Sequence, residues 1–290
     1  RLEKYGPGTL QLSGANSYTG ATTVSGGTLQ AGAANTFAPA SAYTVASGAT
    51  LDLAGHSQAI ASMANSGTVS LLGSAPGTTL TVNGPWVGNG GLLSLGTALG
   101  DSASLSDRLV LNGPTAVASG TTNVQVTNLG GLGALTTGNG IELISATNGA
   151  TTTAQTTKSA FSLVGGHVDA GAFEYRLHAA DASGAGENWY LRSTTTVTPP
   201  IDGGGGGGDG GQGGTPSTPT VTVPTYRVEV PLYAALPEQF RQSNWAMLGN
   251  MHQRIGDESG GQPGATGPNK GSELQAWGRV ISIDRDIQQS

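Results

Sequence analysis

Cysteine is absent from this chain of 290 residues, and charged residues make up only 10% of it. Without cysteine there is no disulfide scaffold and no thiolate-bound metal, and an unfolded chain can cross an oxidising compartment without being cross-linked. The 12 Lys and Arg residues form no cluster, so the basic surface that nucleic-acid binding requires is missing and no such partner is expected. No run of about 18 apolar residues occurs, so the sequence predicts no membrane-spanning helix.

Strong helix formers such as Glu, Lys, Arg and Met are also sparse, whereas glycine contributes 49 residues. Val, Leu and Ile still recur at regular spacing, which is not typical of a disordered chain. Short strands separated by turns rich in Gly, Asn and Ser fit this composition best. The chain begins at Arg1 without a signal peptide, and we interpret it as a fragment of a longer protein.

A repeated sequence motif, or word, dominates the first third of the chain. GTLQ occupies residues 8–11 and again 27–30, and related words follow as GATLDL at 48–53 and GTVSL at 67–71. A fixed period near twenty residues is typical of a solenoid, in which each unit lies on the last. A β-sandwich built of hairpins is the alternative, but a sandwich has no reason to repeat a word at this length.

Aligning these words predicts columns of stacked side chains in a parallel β-helix. Residues i and i+2 share one face of a strand, so each rung points two apolar side chains inward. The inward column is predicted to contain Leu10, Leu29, Leu51 and Val69, followed two residues later by Leu12, Ala31, Leu53 and Leu71. The outward column is predicted to contain Gln11, Gln30, Asp52 and Ser70. Glycines are predicted at the corners, namely Gly14, Gly20, Gly26 and Gly32.

Four further regions follow the repeats of residues 1–100. Residues 101–197 keep strand character, concentrate the aromatic residues around Trp189, and are predicted to cap the open end of the solenoid and to fold without the repeats. Turns are expected at Asn148-Gly149 and Ser183-Gly184. The remaining regions are a flexible Gly/Pro-rich linker at 198–224, a helical segment at 225–256 and a possible barrel strand within 257–290.

The helical segment shows one apolar stripe between Pro237 and Ile255. A helix of that length spans roughly 28 Å, close to the thickness of a membrane core. It nevertheless carries several polar side chains, including Arg241 and Arg254, which are incompatible with lipid. We therefore expect a wall of protein between this helix and the lipid.

Three segments resemble, in the same order, the monomeric (type Va) autotransporters of Gram-negative bacteria. YTGATTVSGGTLQAG at 18–32 resembles their passenger-associated repeat. SDRLVLNG at 106–113 and YRLHAADASGAGENWYLRS at 175–193 are similar to the pertactin-like C-terminal passenger segment, the autochaperone region. YRVEVPLYAALPEQFRQSNWAMLGNMHQRIG at 226–256 resembles the start of the translocator domain, whose helix lies inside the barrel pore.

This resemblance implies a mainly β fold: a right-handed parallel β-helix with a C-terminal β cap, a flexible linker, one α-helix and the first strand of an incomplete outer-membrane β-barrel. It implies an outer-membrane and cell-surface location, with transit through the periplasm. The implied partners are the protein's own barrel, the barrel assembly machinery, periplasmic chaperones and a host-surface ligand. Self-cleaving members are cut between two asparagines, but Gly249 and Asn250 stand at those positions, so we expect no cut within the helix.

No catalytic, cofactor-binding or metal site is predicted. The four histidines, His56, His167, His178 and His252, match no ligand spacing and are expected in turns or on the surface. Asp52 is the single carboxylate between Lys4 and Asp101, too few for a β-helical polysaccharide-cleaving site. Neighbouring Asp101, Asp107 and Arg108 are interpreted as a turn and a solvated pair. Residues 204–209 begin a calcium-binding glycine motif that does not continue.

The function predicted from the sequence is that of a self-secreting autotransporter fragment whose cap directs vectorial folding and secretion. The alternative is a surface adhesin that binds host or matrix ligands through a face lined with Thr, Ser and Asn. A polysaccharide-active β-helical enzyme is the third and weakest hypothesis.

Overall fold

The computed structural model describes residues 1–198, 220–230, 236–242 and 245. The strands in chain order are β1 (Leu2–Lys4), β2 (Thr9–Leu12), β3 (Thr22–Val24), β4 (Thr28–Ala31), β5 (Ala42–Val45), β6 (Thr50–Asp52), β7 (Gln58–Ile60), β8 (Ser62–Asn65), β9 (Thr68–Ser70), β10 (Thr79–Val82), β11 (Trp86–Thr97), β12 (Arg108–Asn112), β13 (Ala118–Asn128), β14 (Ile141–Thr147), β15 (Phe161–Leu163), β16 (Val168–Ala170), β17 (Phe173–Ala179), β18 (Trp189–Arg192), β19 (Thr194–Val197) and β20 (Val221–Pro224).

The chain divides into two compact units, residues 1–234 and residues 235–290. In the second unit, residues 236–242 and 245 are helical, which agrees with the start of the predicted helix. No helix among the described residues is both long and apolar enough to span a membrane. The rest of that helix, with Arg254, Gly249 and Asn250, lies outside the described residues, as does the strand expected within 257–290.

The first unit is a stack of parallel rungs, as predicted. Two of the parallel columns share the long strands β11 and β13. The first column contains, in order, β1, β3, β5, β8 and the first parts of β11 and β13. The second contains β2, β4, β6, β9 and the second parts of β11 and β13. Strands β7, β10, β12 and β14 form a third parallel column. Parallel pairing between neighbouring rungs rules out the hairpin sandwich and is the arrangement of a β-helix.

The predicted inward column is confirmed by the strand register. Leu10 pairs with Leu29, Leu29 with Leu51, and Leu51 with Val69. Leu29, Leu51 and Val69 are all 0% exposed, and Leu93 continues the column on the next rung. Burying each such side chain contributes about 1.5–3 kcal/mol, so every rung that stacks adds this stabilisation.

The four predicted corner glycines have different roles. A Cβ on Gly20 would lie 2.7 Å from the Arg1 backbone nitrogen, so this position requires glycine for space. A Cβ on Gly32 would lie 2.9 Å from the Ser13 hydroxyl, which can rotate, so this position is tight but does not strictly require glycine. Gly14 has no neighbouring atom within 4 Å and a negative φ, so the prediction for Gly14 is wrong. The left-handed corner lies at Gly27, with φ +63°, rather than at Gly26. A Cβ on Gly27 would lie 2.3 Å from a carbonyl oxygen of the rung beside it.

The parallel stack continues beyond residue 100, through β12, β13 and β14. The sequence period disappears there because the rungs lengthen: Asn83 and Asn112, on neighbouring rungs, are 29 residues apart, and Asn112 and Asn148 are 36 apart. Residue 100 therefore marks a change in rung length rather than a change in architecture. Both predicted turns are present, since Asn148, Gly149 and Gly184 all have positive φ.

The strand direction reverses at the last rung. Strand β18 runs antiparallel to β14, β17 antiparallel to β18, and β16 antiparallel to β17. We call β16, β17 and β18 the terminal layer. It lies within the segment that the sequence assigns to the cap.

The predicted linker is shorter than residues 198–224. Strand β20 pairs antiparallel with β19, so residues 221–224 belong to the first unit. The Val-Thr-Val sequence of this stretch favours a strand. Prolines on both sides of it led to the prediction of a linker. Most of the predicted linker, including the glycine motif at 204–209, lies outside the described residues.

Candidate functional site

Two tryptophans anchor the last rungs and the terminal layer. Trp189 on β18 is 3% exposed and packs edge-on against Phe161, with ring centroids 5.4 Å apart. Its indole N–H donates to Thr152 Oγ1 at 2.8 Å. Trp86 on β11 is fully buried, and its indole N–H donates to Thr122 Oγ1 at 2.9 Å. Each ring therefore contributes a large apolar area while its one polar atom stays satisfied.

Tyr175 ties the terminal layer to two loops of the stack. Its ring is fully buried, and its hydroxyl lies 2.8 Å from the carbonyl oxygen of Gly100 and 2.7 Å from that of Ala134. The hydroxyl also accepts the Ala134 N–H at 2.8 Å. Burial raises the pKa of Tyr175, so the hydroxyl keeps its proton and remains a donor. This contact joins the layer to loops that are far away in sequence.

The interpretation of Asp107 and Arg108 as a solvated pair is wrong. Asp107 is fully buried, and its carboxylate is shared among three backbone donors on two rungs. The donors and distances are Gly77 N–H at 2.9 Å, Thr78 N–H at 2.8 Å and Gly96 N–H at 2.7 Å. Arg108 is exposed, and Asp101 forms an exposed turn by accepting the Ala103 N–H at 3.0 Å. Asp107 therefore has a structural role: it holds neighbouring rungs together.

The histidines do not converge on a site among the described residues. His56 lies in a turn and His167 is exposed, as expected, whereas His252 falls outside the described residues. His178 on β17 differs from the prediction: its Nε2 is buried and has no hydrogen-bond partner within the described part of the chain. Burial, with Arg192 and Arg176 nearby, lowers the pKa of His178 to about 4. It borders two cavities of about 390 Å³ and 430 Å³ in the terminal region.

One cluster of possible metal ligands occurs in the terminal layer. A ligand atom from each of His167, Asp169 and Glu174 lies within 4.8 Å of the others. The Arg227 Nε lies 3.6 Å from an Asp169 oxygen, and Arg176 forms an ion pair with Glu174. A guanidinium group lies beside each carboxylate, although Arg227 pairs more closely with Glu229, at 2.7 Å, and this local positive charge disfavours a cation.

The predicted outward column forms a ladder of side-chain hydrogen bonds. The Gln11 amide donates to Gln30 Oε1 at 3.2 Å, and the Gln30 amide donates to Asp52 Oδ2 at 2.9 Å. Ser70 follows on the next rung in the same register. This column gives one face of the stack a continuous polar stripe.

A second ladder, which the sequence reasoning missed, runs along the third column. The Asn112 amide donates to Asn83 Oδ1 at 2.8 Å, and the Asn148 amide donates to Asn112 Oδ1 at 2.7 Å. Each asparagine is followed by glycine, so a recurrent Asn-Gly pair was the available signal. Identical side chains stacked in this way favour one register over its neighbours.

Parallel rungs, polar ladders and a reversed terminal layer define the class of β-helical proteins. Comparison with known proteins finds two family matches: the Passenger-associated-transport-repeat model matches residues 2–31, and the Autochaperone Domain Type 1 model matches residues 57–177. These matches and the autotransporter relatives described below support an autotransporter passenger, as the resemblance in the sequence predicted. The autochaperone match begins at β7, well before residue 101.

Individual relatives agree with this assignment. The adhesin BmaC autotransporter of Brucella suis biovar 1 (strain 1330) is 38% identical over 208 residues, which is 67% of this chain and 5% of that protein. The probable autotransporter YfaL of Escherichia coli (strain K12) is 42% identical over 136 residues, 47% of this chain and 10% of that protein. The Escherichia coli (strain K12) protein YuaQ is 39% identical over 148 residues, 51% of this chain and 10% of that protein. Autotransporter relatives imply an outer-membrane and cell-surface location.

Proposed function

We propose that the last rungs and the terminal layer are the folding nucleus of a secreted passenger and drive its vectorial folding outside the outer membrane. The observation that supports this proposal is the reversal of strand direction at β18. The reversal covers the outer edge of β14, so parallel strands can be added to the third column only toward the N-terminus. Trp189 and Tyr175 stabilise the closed end.

The proposed mechanism is stepwise stacking. The C-terminal rungs fold first outside the cell and present the N-terminal-facing edge of β11 as the template for β8 and β9. Each emerging rung then pairs in register and buries apolar side chains such as Leu51 and Val69, at about 1.5–3 kcal/mol per side chain. Because each step is favourable and occurs on one side of the membrane, the chain resists sliding back.

The proposed setting is a right-handed passenger β-helix followed by a translocator domain. The helix that begins near residue 236 is proposed to occupy the pore of the protein's own barrel, whose first strand would lie within residues 257–290. Arg241, which is exposed and ion-paired with Glu238, would then face polar groups of the pore wall. Periplasmic chaperones and the barrel assembly machinery are the further proposed partners, and no catalytic role is proposed for this chain.

Secretion of the full-length protein tests this function. The Trp189→Ala variant should reduce the folded passenger on intact cells and leave the remaining rungs sensitive to protease. Leu132→Ala is the matched control because that side chain lies in the same region and is 89% exposed. Display of a protease-resistant passenger at the unmodified level by Trp189→Ala, despite a measured loss of stability, would contradict the proposal.

Limited proteolysis of the purified chain tests the order of stability. The surviving core should contain Trp189 together with the strands from β11 onward, because the two buried tryptophans lie there. The early rungs hold a smaller aromatic pair, Phe37 and Tyr43, with ring centroids 5.7 Å apart. A surviving core confined to residues 1–100 would overturn the nucleus assignment.

Adhesion is a second candidate function, favoured by the polar stripe of Gln11, Gln30 and Asp52 and by a relative named as an adhesin. The proposed ligand is a host or matrix surface molecule that binds this face. Purified chain should bind immobilised matrix components or glycans, and the double variant Gln11→Ala/Gln30→Ala should bind less while unfolding at the same temperature. Binding that the double variant leaves unchanged would remove this face from consideration.

A further inference from the structure

The chain returns to the passenger after the Gly-rich stretch. Residues Val221–Pro224 form β20, which runs antiparallel to Thr194–Val197 of β19. Thr194 lies opposite Pro224 and Val197 opposite Val221. The segment before the stretch and the segment after it therefore form one two-stranded ribbon.

The returning segment then crosses to the terminal layer. The Thr225 N–H donates to the Ser193 carbonyl at 2.8 Å, and the Glu174 N–H donates to the Thr225 carbonyl at 3.0 Å. The Thr225 hydroxyl donates to the Glu174 carbonyl at 2.6 Å. Thr225 is thus bonded on both sides, to the end of β18 and to the start of β17.

The contact extends over two more residues, Tyr226 and Arg227, through their side chains and one backbone hydrogen bond. The Tyr226 ring packs on the Phe173 ring with centroids 5.4 Å apart. The Arg227 N–H donates to the Ala172 carbonyl at 3.1 Å, and the Arg227 Nε lies 3.6 Å from an Asp169 oxygen. Backbone pairing, ring packing and an ion pair follow one another along a single extended peptide, which is the pattern of strand addition to a sheet edge.

We propose that residues 220–227 act as a noncovalent clip, a peptide ligand for the edge formed by β19 and the start of β17. Its partner is the passenger of the same chain, residues 1–198. A cut in the backbone anywhere within residues 199–219 would therefore leave the passenger bound to the chain that follows. The proposal depends on these contacts alone and not on the folding role proposed above.

The test uses the purified 290-residue chain with a site-specific protease sequence in place of residues 203–208 and an affinity tag at the C-terminus. After complete cleavage, the N-terminal fragment should remain on the affinity resin with the tagged fragment and elute in urea. In the Thr225→Pro variant, retention should weaken about tenfold or more, because the N–H bond to Ser193 and the hydroxyl bond to Glu174 are both lost.

The control is Val228→Pro. Val228 is 83% exposed and follows Arg227 in a turn closed by the Val230 N–H, a position that accepts proline. This variant should retain the N-terminal fragment like the unmodified sequence. Release of the N-terminal fragment on cleavage of the unmodified sequence would overturn the clip. Retention that Thr225→Pro does not weaken would also overturn it, because the association would then lie elsewhere.

Discussion

Asp107 offers the sharpest test of how neighbouring rungs are held together. Its buried carboxylate accepts the backbone N–H groups of Gly77, Thr78 and Gly96. In Asp107→Ala all three donors lose their acceptor in a region closed to solvent. A buried donor left without a partner costs about 1–3 kcal/mol. Allowing for local relaxation, we expect the free energy of unfolding to fall by about 3–5 kcal/mol.

Asp107→Asn should have an intermediate effect. The amide keeps one carbonyl oxygen, which can still accept the Gly77 and Thr78 N–H groups. Its NH₂ group would then face the Gly96 N–H, so two donors meet where a carboxylate oxygen now lies. We expect a loss of about 1.5–3 kcal/mol, because the charge-assisted bonds are weakened and one donor is left unpaired.

Urea unfolding followed by far-UV circular dichroism measures both losses. Asp101→Ala is the matched control: Asp101 is exposed and accepts a single turn N–H, so its loss should stay below about 1 kcal/mol. The reasoning would be refuted if Asp107→Ala and Asp101→Ala unfolded at the same urea concentration. An Asn variant less stable than the Ala variant would refute the assignment of which oxygen meets which donor.

Three further predictions concern other parts of the molecule. Trp189→Ala should lower the free energy of unfolding by about 3–5 kcal/mol, whereas Trp245→Ala, at a residue 72% exposed, should change it by less than about 0.5 kcal/mol in the same urea assay. Gly27→Ala should lower the thermal midpoint clearly and Gly14→Ala should not, because Gly27, unlike Gly14, combines positive φ with a close carbonyl. The pKa of His178 falls from 6.5 to about 4, so the unfolded chain binds more protons between these values and stability should decrease as pH falls through that range. His178→Gln should flatten this part of the pH profile, and an unchanged slope would contradict the burial of the ring.

The repeated words of the first rungs carried enough information to predict the register. Leu10, Leu29, Leu51 and Val69 could be aligned because the same word recurs at rung length, and stacking requires equivalent residues to meet. The burial of Trp189 was also predictable, since a large ring in a chain of small residues has few other places to pack.

The remaining features depend on contacts that no local pattern encodes. Rungs beyond residue 100 vary in length, so β12 and β14 share only an Asn-Gly pair that recurs at unequal spacing. The local sequence around Asp107 is that of an exposed turn, and its burial depends on contacts with two rungs. Strand β20 is short and has prolines nearby, and its partner β19 is separated from it by a Gly-rich stretch. Each of these elements is defined by its tertiary surroundings rather than by its own sequence.

The antiparallel turn of the terminal layer also limits assembly between molecules. A parallel β-helix resembles a one-dimensional crystal, since each rung is a surface on which an identical rung could grow. At the last rung, β14 is occupied by β18, which runs the opposite way. A second molecule that approached this edge would find β14 already paired with a strand of the wrong polarity for continued parallel growth. The strands that end the third column therefore also stop its parallel growth at this end.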